Sequence, residues 1–326
     1  MTAYTRVFDV DPGSPNRSRS VEAEFDLVAA GFVTVEATLK RGYRAVTGAD
    51  TVIASDFGKL LSCSGAFTLS FAAAATLGDG WFCIVRNTGT GAITLDPNGA
   101  ETIDGLSTGV VYPSFAFLVA CTGSAFHVQK LAGRRIEVLT SGTSWLCPMG
   151  IRGVNGRGVG SGGAGGKASG NPVSAAPGGP GGFAEWFFVS APGTSYSYAI
   201  AAASAAQSAA GSPGANGSST TFNTGVLTVT MTGGSGGVAT LASQVTLGGL
   251  PTNGDMNMRA PPGFNAIGPS NTSVNVGGST PLGSGGSFDT TAATVNAVSG
   301  YGGGGAGSSN VANSGASGAG CIVLEF

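Results

Sequence analysis

The chain has 326 residues, of which 58 are glycine and 10% are charged, with 15 basic against 17 acidic side chains. A net charge of −2 excludes a polybasic nucleic-acid or anionic-membrane binder, because both need clustered positive charge. A single histidine argues against a triad hydrolase or a His-ligated metal enzyme, while 42% apolar residues argue against disorder.

The opening, Met1-Thr-Ala-Tyr-Thr-Arg-Val-Phe-Asp-Val, has no apolar core region and no cleavage site, so no secretory leader is expected. Asp11-Pro-Gly-Ser-Pro15 reads as a turn-rich, extended stretch. Ser20-Val-Glu-Ala-Glu24 then supplies a helix cap and an acidic first turn. Val21, Phe25, Val28, Phe32, Val35 and Leu39 follow, spaced alternately four and three, as in a heptad seam. This seam is too short to hold a lone helix. The spacing predicts a short helix associating in a multi-chain bundle, although Leu27 and Val33, off the seam, also fit a helix packed on its own domain. Residues 1–42 are taken as this first unit, with a break near Arg41-Gly42.

Residues 43–133 read as an all-β domain, a small sandwich, with turn signals every ten to fifteen residues. Thr51-Val-Ile-Ala54 and Phe67-Thr-Leu-Ser70 are strands. Trp81-Phe-Cys-Ile-Val85 and Ala92-Ile-Thr-Leu95 flank Asn87-Thr-Gly-Thr-Gly91 and predict a hairpin. Phe115, Phe117, Val119 and Cys121 alternate on one face, and the chain returns through Phe126 and Val128. His127 points off that face as a solvated strand residue. The longest apolar stretches, such as this one, fall far short of the roughly 20 residues of a membrane span, so no membrane insertion is expected.

Residues 134–326 hold 43 of the 58 glycines, and that shift marks the second boundary. No Gly-X-Y frame runs, so collagen is excluded. Arg135-Ile-Glu-Val-Leu139 with Trp145-Leu-Cys147 predicts a hairpin. So does Phe183-Ala-Glu-Trp-Phe-Phe-Val189 with Tyr196-Ser-Tyr-Ala-Ile200, around Ala191-Pro-Gly-Thr194. Val226-Leu-Thr-Val-Thr-Met231 is a strand, and Cys321-Ile-Val-Leu-Glu-Phe326 must be tied into a sheet. Ordered glycine costs backbone entropy and so needs a use. Close packing of polyglycine-II-like extended segments, bonded chain to chain, is that use, with flexible linkers as the alternative. The fold class is therefore mainly β, with a glycine-rich distal β domain.

Chemistry-bearing motifs are sparse. Cys63, Cys83, Cys121, Cys147 and Cys321 are scattered without Cys-x-x-Cys spacing, so they read as reduced, buried small hydrophobes and no metal is expected. Ser161-Gly-Gly-Ala-Gly-Gly-Lys-Ala168 misses a phosphate-binding loop at both ends. Asp96, Glu101 and Asp104 are a conceivable carboxylate group for glycan hydrolysis, but they sit in turn signals, and Asp9 and Asp11 lack further calcium-ligand spacing. No catalytic residue or cofactor is assigned. Met256, Met258, Arg259 and Phe264 lie in a turn-rich loop and suit a recognition surface, with core packing of the apolar three as the alternative. Tyr301, set before four glycines, is a second candidate.

Several segments carry a family resemblance. Ala45-Val-Thr-Gly-Ala-Asp50, Asp56-Phe-Gly-Lys-Leu-Leu61, the stretch from Val85 to Gly99 and Glu101-Thr-Ile-Asp-Gly105 resemble a β-domain of bacteriophage tail fibres. The opening Tyr4 to Pro15 is similar to the virion-proximal ends of such fibres. Gly182-Phe-Ala-Glu185, Pro192-Gly-Thr-Ser-Tyr196, Thr220-Thr-Phe222 and the final Gly320 to Phe326 resemble the glycine-rich domain of phage tail proteins. The run from Ala201 to Ala210 departs from it, being alanine-rich where such domains carry glycine. The resemblance implies a homotrimeric, non-enzymatic virion fibre made in the host cytoplasm. Its N-terminus would join a tail or baseplate protein. Its distal domain would bind a bacterial cell-surface receptor, a glycan or an outer-membrane protein. A structural connector without receptor binding and a glycan depolymerase spike are the alternatives.

Overall fold

The computed structural model describes residues 26–30, 42–170, 175–239, 245–267, 273–289, 294–309 and 312–326. Residues 26–30 are helical, with Leu27 and Val28 exposed. The other seam positions, Val21, Phe25, Phe32, Val35 and Leu39, lie outside the described residues. The described chain is mainly β, as the patterning predicts.

The first nine strands are β1 (Tyr43–Val46), β2 (Asp50–Val52), β3 (Leu60–Cys63), β4 (Phe67–Phe71), β5 (Asp79–Asn87), β6 (Ile93–Asp96), β7 (Gly109–Val111), β8 (Ala116–Thr122) and β9 (Phe126–Ala132). They form two sheets, ordered β1-β3-β5-β8-β9 and β2-β4-β6-β7. The chain alternates between them and pairs in parallel three strands deep on each side, with Leu60 opposite Tyr43 and Ile84, and Leu69 opposite Asp50 and Leu95. Period-two alternation sends Trp81, Cys83 and Val85 of β5 and Ile93 and Leu95 of β6 into one core.

The expected hairpin between 81–85 and 92–95 is therefore absent: β5 and β6 belong to different sheets. The reason is Asn87. Its buried amide donates to the Gly91 and Val111 carbonyls (2.7 and 2.8 Å) and accepts from the Gly89 N–H, fixing the loop as a crossover. A Cβ at Gly91 would strike the Gly65 carbonyl, so this corner stacks directly on the previous one. Strands β8 and β9 do form the antiparallel pair that the alternation predicts.

Beyond the boundary come β10 (Ile136–Leu139), β11 (Ser144–Leu146), β12 (Gly153–Val159), β13 (Phe183–Val189), β14 (Ser195–Ala199), β15 (Thr220–Asn223), β16 (Thr228–Met231), β17 (Val245–Thr246), β18 (Met256–Met258), β19 (Gly263–Ile267), β20 (Ser273–Val276), β21 (Gly283–Ser284), β22 (Ser287–Asp289), β23 (Thr294–Asn296), β24 (Ser299–Gly300) and β25 (Cys321–Glu325). Two sheets, β10-β25-β12-β13-β18 and β11-β14-β15-β16, enclose an aromatic core of Trp145, Trp186, Phe188, Tyr196, Phe222 and Phe326. A third sheet runs β17-β19-β20-β22-β23, and β21 pairs with β24.

Neither predicted distal hairpin forms. Strand β10 pairs with β25, and β11 pairs with β14. The turn at Ala191–Thr194 carries the chain between sheets because its amides and carbonyls bond Cys147 instead of each other's strands: Gly193 N–H donates to the Cys147 carbonyl, and Cys147 N–H to that of Thr194 (both 2.9 Å).

The glycine segments run beside these sheets. Along residues 161–168 the amides of Ser161, Ala164 and Lys167 donate to Ser218, Ala215 and Ser212, those of Gly162 and Gly165 to Gly318 and Gly315, and those of Gly163 and Gly166 to Gly179 and Ala176. Successive residues face three different neighbours, and every third returns to the same one. Residues 175–182 repeat the pattern toward 302–308 and 232–238. The alanine run joins on one side, where Ala201, Ser204 and Gln207 accept from Gly320, Ser317 and Ser314. Ala202, Ala203, Ala205 and Ala206 are exposed, so their methyl groups face solvent at this edge, whereas a Cβ at an interior glycine such as Gly165 would overlap backbone.

Candidate functional site

The outward face of the sheet ending in β18 is built in cross-strand rows. One row is Cys321, Val159, Phe183 and Met258; the next is Val138, Val323, Arg157, Glu185 and Met256; the third is Ile136, Glu325, Asn155 and Phe187. Leu282 and Tyr301 pack over the first row. Over the part of the second and third rows from β25 to β18 lies a groove of about 410 Å³.

Alternation on β13 places Trp186 and Phe188 in the core and leaves Phe187 and Val189 outside, 54% and 77% exposed. Asp255 fixes the rim, its Oδ2 accepting the Phe187 N–H at 2.7 Å. Arg157 stands directly opposite Glu185. Glu325 accepts from Arg134 Nε at 2.5 Å, and that hydrogen bond holds its carboxyl below the ordinary carboxylate value. A second, apolar cleft of about 300 Å³ adjoins at Phe187 and includes Val189, Val226 and Leu227.

The five receptor candidates do not form one site, although Met258 and Tyr301 pack on the same cluster. Met256 lines the groove, 45% exposed. Met258 and Tyr301 are partly buried against Val159, Phe183 and Cys321. Arg259 is exposed, and Phe264, 48% exposed, stands on β19 in another sheet. Met256, Met258 and Phe264 are strand residues, not loop residues, because β18 pairs with β13 and β19 with β17 and β20.

Other sequence candidates are engaged structurally. Both Glu101 carboxylate oxygens accept the Ala74 N–H. Asp104 accepts from the amides of Val128 and Gly150, and His127, 61% exposed, lies 3.6 Å from it. Lys167 is buried and donates to the Ser208 carbonyl at 2.9 Å, while Ser161 Oγ accepts the Ser218 N–H, so the glycine stretch between them is packed backbone. Asp9 and Asp11 lie outside the described residues. All five cysteines are free and buried; desolvation raises every thiol, Cys63 and Cys147 to about 11 and Cys321 to about 12.

Among the described residues no group of His, Cys, Asp and Glu is arranged to hold a metal ion, and no helix is long and apolar enough to cross a membrane. The groove residues Phe187, Arg157 and Glu185 escape sequence reasoning. The signal was the run Trp186-Phe-Phe-Val189, which on an alternating strand must put bulky apolar groups on both faces. No family model matches the chain, and no curated protein matches it.

Proposed function

We propose that this protein is a homotrimeric bacteriophage tail fibre. Residues 1–42 join it to a tail or baseplate protein, residues 43–133 form a small two-sheet sandwich module, and residues 134–326 contact the bacterial surface. The observation that carries the reading is the three-residue period of backbone bonding among the glycine segments. That repeat matches extended helices with three residues per turn and no internal hydrogen bonds, packed as in polyglycine II. It braces a distal domain whose cysteines are all free, which suits a fibre tip working outside the cell without disulfides. The sequence resemblance to tail-fibre and glycine-rich tail domains supports the same reading. On it the protein is an adhesin and not an enzyme, and it is carried on the virion after synthesis in the host cytoplasm.

The test is direct. Light scattering of the purified chain should give the mass of three copies. The protein should adsorb to host cells and block infection by the parent phage. A stable monomer that adsorbs to no cell and leaves infection unchanged would refute the reading.

A further inference from the structure

We propose that the groove on the outward face of the β10-β25-β12-β13-β18 sheet is a saccharide-binding site, with the Phe187 ring as its platform and Arg157, Asn155, Glu185 and Asp255 as its hydrogen-bonding rim. Phe187 turns its ring outward at 54% exposure, on a strand paired with β12 at Asn155 and, on the other side, just past the end of the β18 ladder at Glu185. Such a ring offers a flat apolar face that water solvates poorly. Around it stand planar donors and acceptors held on strands or by backbone bonds: Asn155 directly opposite, Arg157 and Glu185 one row away, and Asp255 fastened to the Phe187 amide. Rigid placement of few polar groups about an apolar surface is what gives a small-molecule site its orientation and specificity.

Charge selects among occupants. Glu185 and Asp255 put two carboxylates beside the guanidinium of Arg157, while Glu325 is neutralised by Arg134, so the groove carries a net negative charge that repels a phosphate or sulfate. A purely apolar lipid tail or peptide face would bury Arg157 and Glu185 without hydrogen-bond partners, at a large desolvation cost. A pyranose meets both demands: its axial C–H face stacks on the ring, and its equatorial hydroxyls donate to carboxylates and accept from Arg157 and Asn155. The space, about 410 Å³, suits one or two sugar units. The adjoining apolar cleft at Val189, Val226 and Leu227 has room for a methyl or acetyl substituent. On the fibre reading this moves the receptor contact from loops to a sheet face.

A glycan array carrying neutral and acidic bacterial oligosaccharides, probed with the full chain, should show binding to neutral or amino sugars and little to sulfated or phosphorylated ones. Phe187→Ala should weaken binding at least tenfold and Phe187→Trp should retain it, both with unchanged melting temperature, since the ring lies outside the core. Glu185→Gln should weaken binding less than Glu185→Ala. A blank array, or undiminished binding by Phe187→Ala, overturns the proposal. So does a change of oligomeric mass in Phe187→Asp, which would assign the face to a second copy of the chain. Cell adsorption separates this from the fibre reading: adsorption that survives Phe187→Ala sinks the groove alone, whereas oligosaccharide binding without any adsorption sinks the fibre reading alone.

Discussion

The buried carboxylate of Asp104 accepts the backbone N–H of Gly150 at 2.8 Å and so ties the first two sheets to the glycine-rich part. The same carboxylate accepts from Val128 N–H and meets Arg152, while the hydrophobic core runs continuously across the junction. Asp104 itself holds a left-handed backbone conformation at φ 51, which Asp and Asn tolerate best. Asp104→Ala leaves two amides without their acceptor and should cost about 1–3 kcal/mol for each amide that water cannot reach. Asp104→Asn keeps an acceptor and the backbone preference and should cost less. Urea unfolding of the two variants checks the order; equal stability of Asp104→Ala and the parent would remove Asp104 as the tie.

Glycine in the distal half is required by contact and not by flexibility. A Cβ at Gly165 would overlap the Ala306 carbonyl, and one at Gly178 the Gly163 carbonyl. Backbone cannot step aside as a side-chain tip can, so Gly165→Ala or Gly178→Ala should cost roughly 1–3 kcal/mol or more. Gly48→Ala and Gly170→Ala, where a Cβ meets nothing within 4 Å, are the controls and should be near neutral. Thermal melts of the four variants test this. If all four behave alike, the glycine segments do not pack backbone against backbone.

How far the sequence carried these features depended on range. Alternation in Phe115 to Cys121 located β8 and its face, because period two is a local property. The partner of each strand was not legible. Asn87-Thr-Gly-Thr-Gly91 has hairpin composition, and among the Asn87 bonds that fix it as a crossover the one to the Val111 carbonyl is distant in sequence. The packing use of glycine was readable from composition, whereas the choice of neighbours, such as Gly165 with Gly315, spans the whole distal half. The groove was missed for a related reason: its rows join β25, β12, β13 and β18, which are far apart in sequence.

The thiols supply a pH prediction. Burial raises Cys63 and Cys147 to about 11 and Cys321 to about 12, against 9.0 for an unperturbed thiol. Between those values the unfolded chain has lost protons that the folded chain keeps, so stability is fully present below about pH 9 and falls as pH rises toward 11–12. Iodoacetamide at about pH 8, just below the ordinary thiol value, should leave the native protein unmodified and label all five cysteines after denaturation. Rapid labelling of the native protein would show that these thiols are neither buried nor raised.

Strand β25 gives the last prediction. It lies between β10 and β12, with Val138 and Arg157 both opposite Val323. Ile322, Leu324 and Phe326 enter the core, where Phe326 meets Trp145 at 5.6 Å between ring centroids, and Arg135 and Phe326 exchange backbone hydrogen bonds at 2.8 and 3.0 Å. Each large side chain contributes roughly 1.5–3 kcal/mol on burial. Three of them approach the roughly 5–15 kcal/mol by which a typical domain is stable. Ending the chain at Gly320 also strands the inward backbone groups of β10 and β12, which no neighbouring strand can reach. The shortened protein should lose the near-ultraviolet signal of Trp145 and Trp186 and be cut by protease throughout residues 134–320. Leu324→Ala in the full chain should cost about 2–5 kcal/mol with the fold retained. A shortened chain as protease-resistant as the parent would show that the distal half stands without this interior strand, and that β25 does not bridge β10 and β12.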